Sequence, residues 1–314
     1  MMAHPQPNLP KTTLKHYRKI QSRTADSIVL ADDVIRHVNP NYVQETLGQA
    51  LPDFVVGLAH IQRETAIDAS SYTADVLSET GDYVAPEAFV NIDAFTGWAP
   101  YGNTLTDAVS GVVSRTSRLI GEGMAVGQAV EKARQYLRFV ASETVRSTAR
   151  DVEHLDILTR PNIGYVRMLN PPSCMFCVIL AGRRYAWNTG FERHPNCDCI
   201  HVPCNQKQLA GAVMEGLVLD PYEYFKSLDE KAQNRLFGAG NAEAIRLGAD
   251  MYQVVNAYRP GNLYAGGHRT REGMTRRGYA GKMFTIYLVG VPRRQFLKRI
   301  EMGDGRGKLI CVIL

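Results

Sequence analysis

The chain has 314 residues and a mass of 34.9 kDa, too long for a disulfide-stapled miniprotein and enough for about two domains. Apolar residues at 45 % and charged residues at 21 % exclude wholesale disorder. The longest apolar runs, around Met175–Ala181 and Ile286–Val291, fall far short of the ~20 residues of a membrane span, and no charged and apolar leader of the secretory kind opens the sequence. The net charge of +5 is unevenly spread. Between Arg259 and Arg299 ten Lys/Arg face one acid, Glu272, so that segment carries +9 and the rest of the chain −4. Such asymmetry points to one surface for a polyanion on a mildly acidic body.

In chain order, residues 1–10 hold Pro5, Pro7 and Pro10 and read as a flexible lead-in. From Leu14 to Val38 apolar residues recur at helical spacing, and Pro40 closes the element. A second helical stretch runs from about Tyr42 to Leu77, with Pro52 starting a new helix or kinking one. Residues 80–103 are rich in Gly and Pro and read as a loop excursion. Helical periodicity returns over Leu105–Ile120 and Ala125–Leu158. In the latter Val126, Val130, Ala133, Leu137, Val140 and Val145 form a stripe, with the charges placed on the opposite face. The character changes at Pro161. Gly164–Leu169 alternates as a strand, followed by short strands and turns. Ser227-Leu-Asp-Glu230 matches a capping box, Gly238 suits a helix end, and Asn241–Arg246 is a short helix ending at Gly248. Beyond Tyr258 the chain is basic and glycine-rich, with a strand over Met283–Val289, a helix over Pro292–Glu301 and a last strand over Leu309–Leu314. The expected class is mainly α with a small α+β zinc-knuckle-like centre. Its expected divisions are a lead-in (1–10), a helical domain (11–160), a Cys/His-containing α+β domain (161–257) and a basic carboxy-terminal segment (258–314).

Five of six cysteines, Cys174, Cys177, Cys197, Cys199 and Cys204, crowd into 31 positions. In a reducing compartment such a cluster reads as metal-binding or catalytic before it reads as disulfides. Cys174-Met-Phe-Cys177 puts two thiols on one tight turn, and His194-Pro-Asn-Cys197-Asp-Cys199 supplies a second knuckle. Five candidate ligands compete for four tetrahedral places: Cys174, Cys177 and His194 with Cys199 or Cys197. A closed site of this kind is structural, holds zinc, and contributes on the order of 10 kcal/mol to folding. Buried free thiols beside a solvent-facing histidine are the plain alternative. Two catalytic alternatives fit less well. A zinc deaminase needs H-x-E ahead of P-C-x-x-C, whereas His154-Leu-Asp156 lacks the Glu and Pro172-Ser-Cys174 has one residue inserted. An HNH-like nuclease using His194, Asn196 and His201 has those residues too close together. No catalytic residue is assigned.

The segment Gly164-Tyr-Val-Arg-Met-Leu-Asn-Pro-Pro-Ser-Cys-Met-Phe-Cys-Val-Ile-Leu-Ala-Gly182 with His194-Pro-Asn-Cys-Asp-Cys199 resembles the minor head proteins of tailed bacteriophages, the Mu F-like head morphogenesis group, most of all the type found in actinobacteriophages. Ser227–Asp250, Gln253-Val-Val-Asn-Ala257 and Thr270–Gly278 are similar to the same proteins, so the resemblance spans about residues 104–282. It implies a low-copy structural protein of the phage head, partnered by the portal protein and by major capsid or scaffolding protein. It also implies a place in the head interior or at the portal vertex of the virion, and in host cytoplasm during assembly. Some relatives touch packaged DNA. No membrane partner and no enzyme activity are expected; the alternative is a zinc-dependent nucleic-acid enzyme, nuclease or deaminase-like, working through the same cluster.

Glycine and tyrosine interleave with Arg259, Arg269, Arg271, Arg276, Arg277, Lys282, Arg293 and Arg294, which suits an arm following the phosphates of double-stranded DNA. No base-reading motif is present, so binding of that kind is non-specific. Trp98 and Trp187 read as core or interface anchors, His60 and His154 as ordinary helix histidines, and Asp32-Asp33 as a solvated helix face.

Overall fold

The computed structural model describes residues 9–100, 102–169, 173–182, 184–186, 197, 199–205, 220–257 and 311–313. Five helices make up the amino-terminal half: α1 (Lys11–Arg36), α2 (Val43–Ser70), α3 (Tyr72–Glu79), α4 (Leu105–Gly121) and α5 (Val126–Thr159). Helix α5 has 34 residues, about 50 Å at helical rise. It is the axis on which α1, α2 and α4 pack. Its first half follows the expected stripe, with Ala133, Leu137 and Val140 joining Leu47, Phe54, Leu58, Val109 and Val112 in one core.

Two helices approach closely at Gly57. A β-carbon there would meet Leu30 Cδ2 at 2.9 Å, so the absence of a side chain brings α1 against α2. Pro52 lies inside α2, on its exposed face, where water can take the carbonyl bond that its missing N–H gives up. The expected stretch to Leu77 is instead divided at Ser71, where α2 ends and α3 begins. Helix α1 is tied across the bundle at Asp32. That carboxylate accepts two bonds of 2.6 Å from the Arg138 guanidinium, and the first of these interactions holds it below its ordinary pKa. Asp32 is thus an interhelix anchor, while Asp33 pairs with Arg36 of its own helix.

Residues 80–103 are a loop as expected, but contain a short strand β1 (Ala88–Val90) and a 3-10 turn over Ile92–Phe95. The loop is clamped by Gln62. Its Nε2 donates to Trp98 O at 2.8 Å and to Thr148 Oγ1 at 3.0 Å, and its Oε1 accepts from Gly97 N at 2.8 Å. Gly97 has φ +86°, a backbone that glycine adopts without steric cost. Gln62→Ala removes three bonds that hold the loop, two of them part-buried, so we expect a loss of about 2 kcal/mol in chemical denaturation of the full chain. An unchanged midpoint would contradict this clamp.

The centre is a three-stranded antiparallel sheet in the order β3 (Arg184–Tyr185), β2 (Ile163–Met168), β4 (Ile200–Asn205). All six residues of β2 are buried. Alternation along the strands puts Met168, Ile200 and Val202 on one face, against Leu9 and Tyr17. The opposite face carries Tyr165, Arg167 and His201. Four short helices follow: α7 (Pro221–Ser227), α8 (Glu230–Phe237), α9 (Ala239–Arg246) and α10 (Met251–Ala257). Their apolar residues Tyr224, Phe225, Phe237, Ile245 and Met251 pack with Ile157, Tyr165 and the cysteine segment in a single core.

The fold is therefore mainly α with a small α+β centre. The expected capping box is not formed. Ser227 ends α7, its Oγ donating to Tyr224 O, and Asp229 caps α8 by accepting from Ala232 N at 2.7 Å. Leu228 is extended between the two helices, which leaves the carboxylate one residue further on in the capping position. A last strand β5 (Cys311–Ile313) pairs antiparallel with β1. The expected strand 283–289 and helix 292–301 lie outside the described residues, as do positions 1–8. No described helix is long and apolar enough to cross a membrane.

Candidate metal centre

The cysteines converge where the sheet meets the turn after β2. Cys174 is the N-cap of the one-turn helix α6 (Met175–Val178), and its Sγ accepts from Cys177 N at 3.3 Å. The C-x-x-C spacing and this amide bond fold both thiols onto one turn. Cys197 and Cys199 lead into β4. The Sγ atoms of Cys177, Cys197 and Cys199 all lie within 4.8 Å of one another, and all three residues are buried. Cys177 and Cys197 are 3.5 Å apart at sulfur. That is well beyond a disulfide bond of about 2.05 Å, and near the edge of about 3.8 Å that a tetrahedron with Zn–S of about 2.3 Å requires.

Two buried cations face these sulfurs. Arg167 on β2 is wholly buried. Its Nη2 lies 3.4 Å from Cys197 Sγ and 4.0 Å from Cys177 Sγ. Arg150 of α5 donates from Nη1 to Cys197 O at 2.6 Å and lies 3.6 Å from Glu143 through Nη2. Hydrogen bonds from Cys177 and then Cys199, with the charges of Arg167 and Arg150, hold the Cys197 thiol well below its ordinary pKa against the opposing effect of burial. Hydrogen bonds to Cys174 and Cys197 push Cys177 up. A bond with Cys177 favours the Cys199 thiolate, but its bond to Cys197 and its burial outweigh this and push it up to about 12. Thiolate character is thus favoured at Cys197. A divalent cation binds the thiolate form of each cysteine and takes soft sulfur donors by preference. The donor set fits a metal ion.

Both Cys197 and Cys199 join Cys177, whereas the preferred set above took one of the two. Both residues stand just ahead of β4, and their sulfurs reach Cys177 together. Cys174 is half-buried beside this trio. His194 lies outside the described residues, as do Asn196 and Trp187. So do all eight basic residues singled out for DNA, Arg259, Arg269, Arg271, Arg276, Arg277, Lys282, Arg293 and Arg294. His201, named with a nuclease in mind, shares the sheet face of Arg167 and bonds a carboxylate through Nδ1.

That carboxylate belongs to a buried network that periodicity did not reveal. Glu153 of α5 accepts from His16 Nε2 at 2.8 Å and from His201 Nδ1 at 3.1 Å. Tyr72 stacks on His16 with centroids 4.1 Å apart, and its hydroxyl donates to His201 O at 2.7 Å. Burial alone would raise Glu153, but the two imidazole bonds override it and hold the carboxyl at about 2. Burial pushes His201 below its ordinary value despite the Glu153 bond. The network joins α1, α3, α5 and β4. It also corrects the reading of α5, whose charged residues Glu143, Arg150, Glu153 and Asp156 are buried rather than solvated. The available signal was their spacing: Asp156 and Arg160, one turn apart, pair through the Arg160 Nε at 3.1 Å.

Among curated proteins and among solved structures, nothing matches the chain. A family model described as VG15 protein matches residues 10–226, from the start of α1 through the bundle, the sheet and the thiol cluster to the end of α7. With more than two thirds of its length matched in one continuous stretch, the chain belongs to the VG15 protein family, a family of phage proteins.

Proposed function

We propose that the chain is a structural minor capsid and head morphogenesis protein of a tailed phage, acting near the portal in procapsid assembly. The observation that supports this reading is the continuous family match over residues 10–226, which takes the helical bundle and the cysteine centre as one unit. The Mu F-like resemblance of the segment around Cys174–Cys199 supports the assignment to the head. In this reading Cys177, Cys197 and Cys199 hold zinc, with Cys174 or His194 completing the tetrahedron. The ion is structural: it clasps the turn after β2 to the entry of β4, and so fixes the layer on which α7–α10 pack. The basic segment beyond residue 258 contacts packaged DNA or neighbouring subunits. The protein then resides in the head interior or at the portal vertex, and in host cytoplasm before assembly. The alternative of a zinc-dependent nucleic-acid enzyme draws no support from the geometry: among the described residues, the charged groups found against the sulfurs are the guanidiniums of Arg167 and Arg150.

Co-expression of the full chain with portal and capsid proteins, with mass spectrometry of purified procapsids, tests the proposal. We expect retention at low copy together with portal. Absence from every assembled particle would reject it. DNA contact is tested separately by comparing the full chain with a variant carrying Arg276→Gln and Arg277→Gln. If about six cations meet phosphate, the logarithmic salt slope of duplex binding is about −5, and it becomes shallower in the variant. A flat response would reject DNA contact and leave the portal reading standing.

A further inference from the structure

An arginine within a fully buried strand is costly unless its charge is met. Arg167 occupies such a place. It is the largest wholly buried side chain among the described residues, and it sits next to the last residue of β2, directly opposite His201 in register. Its backbone is fixed as well, since Arg167 O accepts from Gly182 N at 3.0 Å, closing the turn that carries Cys174 and Cys177. Strand alternation sends the side chain to the sheet face that meets the thiols, and the guanidinium reaches two sulfurs, Cys197 and Cys177.

Three thiolates around a divalent cation leave one negative charge, and a tetrathiolate centre leaves two. Either anion buried beneath α7–α10 needs a cation and N–H donors around its sulfurs. Arg150, the other buried guanidinium nearby, is partly engaged by Glu143 and spends Nη1 on a backbone carbonyl. We infer that Arg167 is the resident counter-cation of the metal–thiolate centre, a positioning residue whose guanidinium donates N–H···S hydrogen bonds to Cys197 and Cys177 and sets how tightly a soft divalent cation is held. This rests on the zinc reading of the cluster and is independent of any role in the phage head. Both sulfurs are addressed by one nitrogen, Nη2, at a reach set by the length of the guanidinium, which the compact ammonium of a lysine matches only in part.

The test uses the full chain and zinc itself, by competition against a chromophoric chelator. Arg167→Met keeps length and apolar bulk but removes the charge and the donors; we expect zinc affinity to fall by about 10–100-fold, as for other groups that support metal ligands from behind. Arg167→Lys restores part of the loss. In both variants the cobalt(II)-substituted protein keeps the wild-type thiolate charge-transfer bands, because the ligands themselves are unchanged. A side chain that merely fills space would leave zinc affinity unaltered in Arg167→Met, and that result would overturn the inference. Should the variants fail to fold, the wild-type chain loaded with cadmium-113 provides the second measurement. Coupling between the metal and guanidinium protons of Arg167 across the N–H···S bonds is the expected signature, and no coupling to that side chain would equally overturn the proposal. Failure of wild-type protein to bind zinc, cobalt or cadmium would overturn both this inference and the zinc reading beneath it, whereas a tight wild-type site indifferent to Arg167 would overturn the inference alone.

Discussion

Replacing Cys177 and Cys197 together by serine is expected to abolish stoichiometric metal binding and to split the thermal unfolding of the chain into two steps. The two sulfurs stand 3.5 Å apart at the heart of the thiol trio, and serine hydroxyls are poor donors for a soft site. Structural zinc in small sites supplies on the order of 10 kcal/mol of apparent binding free energy at neutral pH. The turn that carries Cys174 and Cys177 has little regular structure of its own. Helix α6 is four residues long and β3 two, and α7–α10 pack on that layer through the core that includes Cys177, Cys197 and Cys199. The core formed by α1, α2, α4 and the first half of α5 is separate from it. The variant therefore loses the layer at lower temperature while far-ultraviolet circular dichroism retains the helical signal of the bundle. Metal persisting at one ion per chain in the double variant, with an unchanged single transition, would reject the ligand assignment.

The second large effect is expected at Glu153. Its carboxylate is wholly buried and bonded by two imidazoles from different parts of the chain, His16 of α1 and His201 of β4. Glu153→Ala deletes the shared acceptor and leaves two buried ring nitrogens without it. Breaking a buried pair in this way costs about 3–5 kcal/mol, read as a lower denaturation midpoint at pH 7. The same residue dictates the acid limb of stability. The carboxyl ionises at about 2 when folded, against 4.5 ordinarily. A depressed carboxyl stabilises the fold fully above the unfolded value, and this contribution, about 3 kcal/mol, is lost as pH falls from about 4.5 toward 2. His201 acts earlier. Burial lowers its pKa below 6.5, so the unfolded chain takes up that proton first and stability begins to decline as pH drops below 6.5. Glu153→Gln should therefore flatten the loss below pH 4.5 while leaving the earlier decline in place. Parallel stability curves for wild type and Glu153→Gln across that window would refute this assignment.

The long elements were legible because each has a strong local signature. Helix α1 begins at the proline-rich lead-in, and α4 and α5 follow apolar stripes that a 3.6-residue period reveals. Strand β2 was legible from alternation at Gly164–Leu169, and β5 falls within the expected last strand. What escaped was decided by tertiary context. Three-residue β1 has no pattern of its own and is defined by pairing with β5. The second half of α5 looked half-solvated because Glu143, Arg150, Glu153 and Asp156 are charged, and no periodicity tells a charge that will be met by a buried partner from one that will meet water. Arg167 was hidden for the same reason inside a strand pattern. The presence of a thiol cluster was legible from spacing, since C-x-x-C places two sulfurs on one turn and H-x-x-C-x-C offers a second group of donors. The choice between Cys197 and Cys199 was not, because spacing leaves open which of them faces Cys177; the fold brings both.

Metal analysis of the purified full chain, joined to X-ray absorption at the zinc edge, tests the central claim most directly. The account predicts one zinc per chain with a sulfur-dominated first shell at about 2.3 Å. A chain that purifies folded with no bound metal, or one whose zinc sits in a shell of oxygen and nitrogen alone, would contradict it.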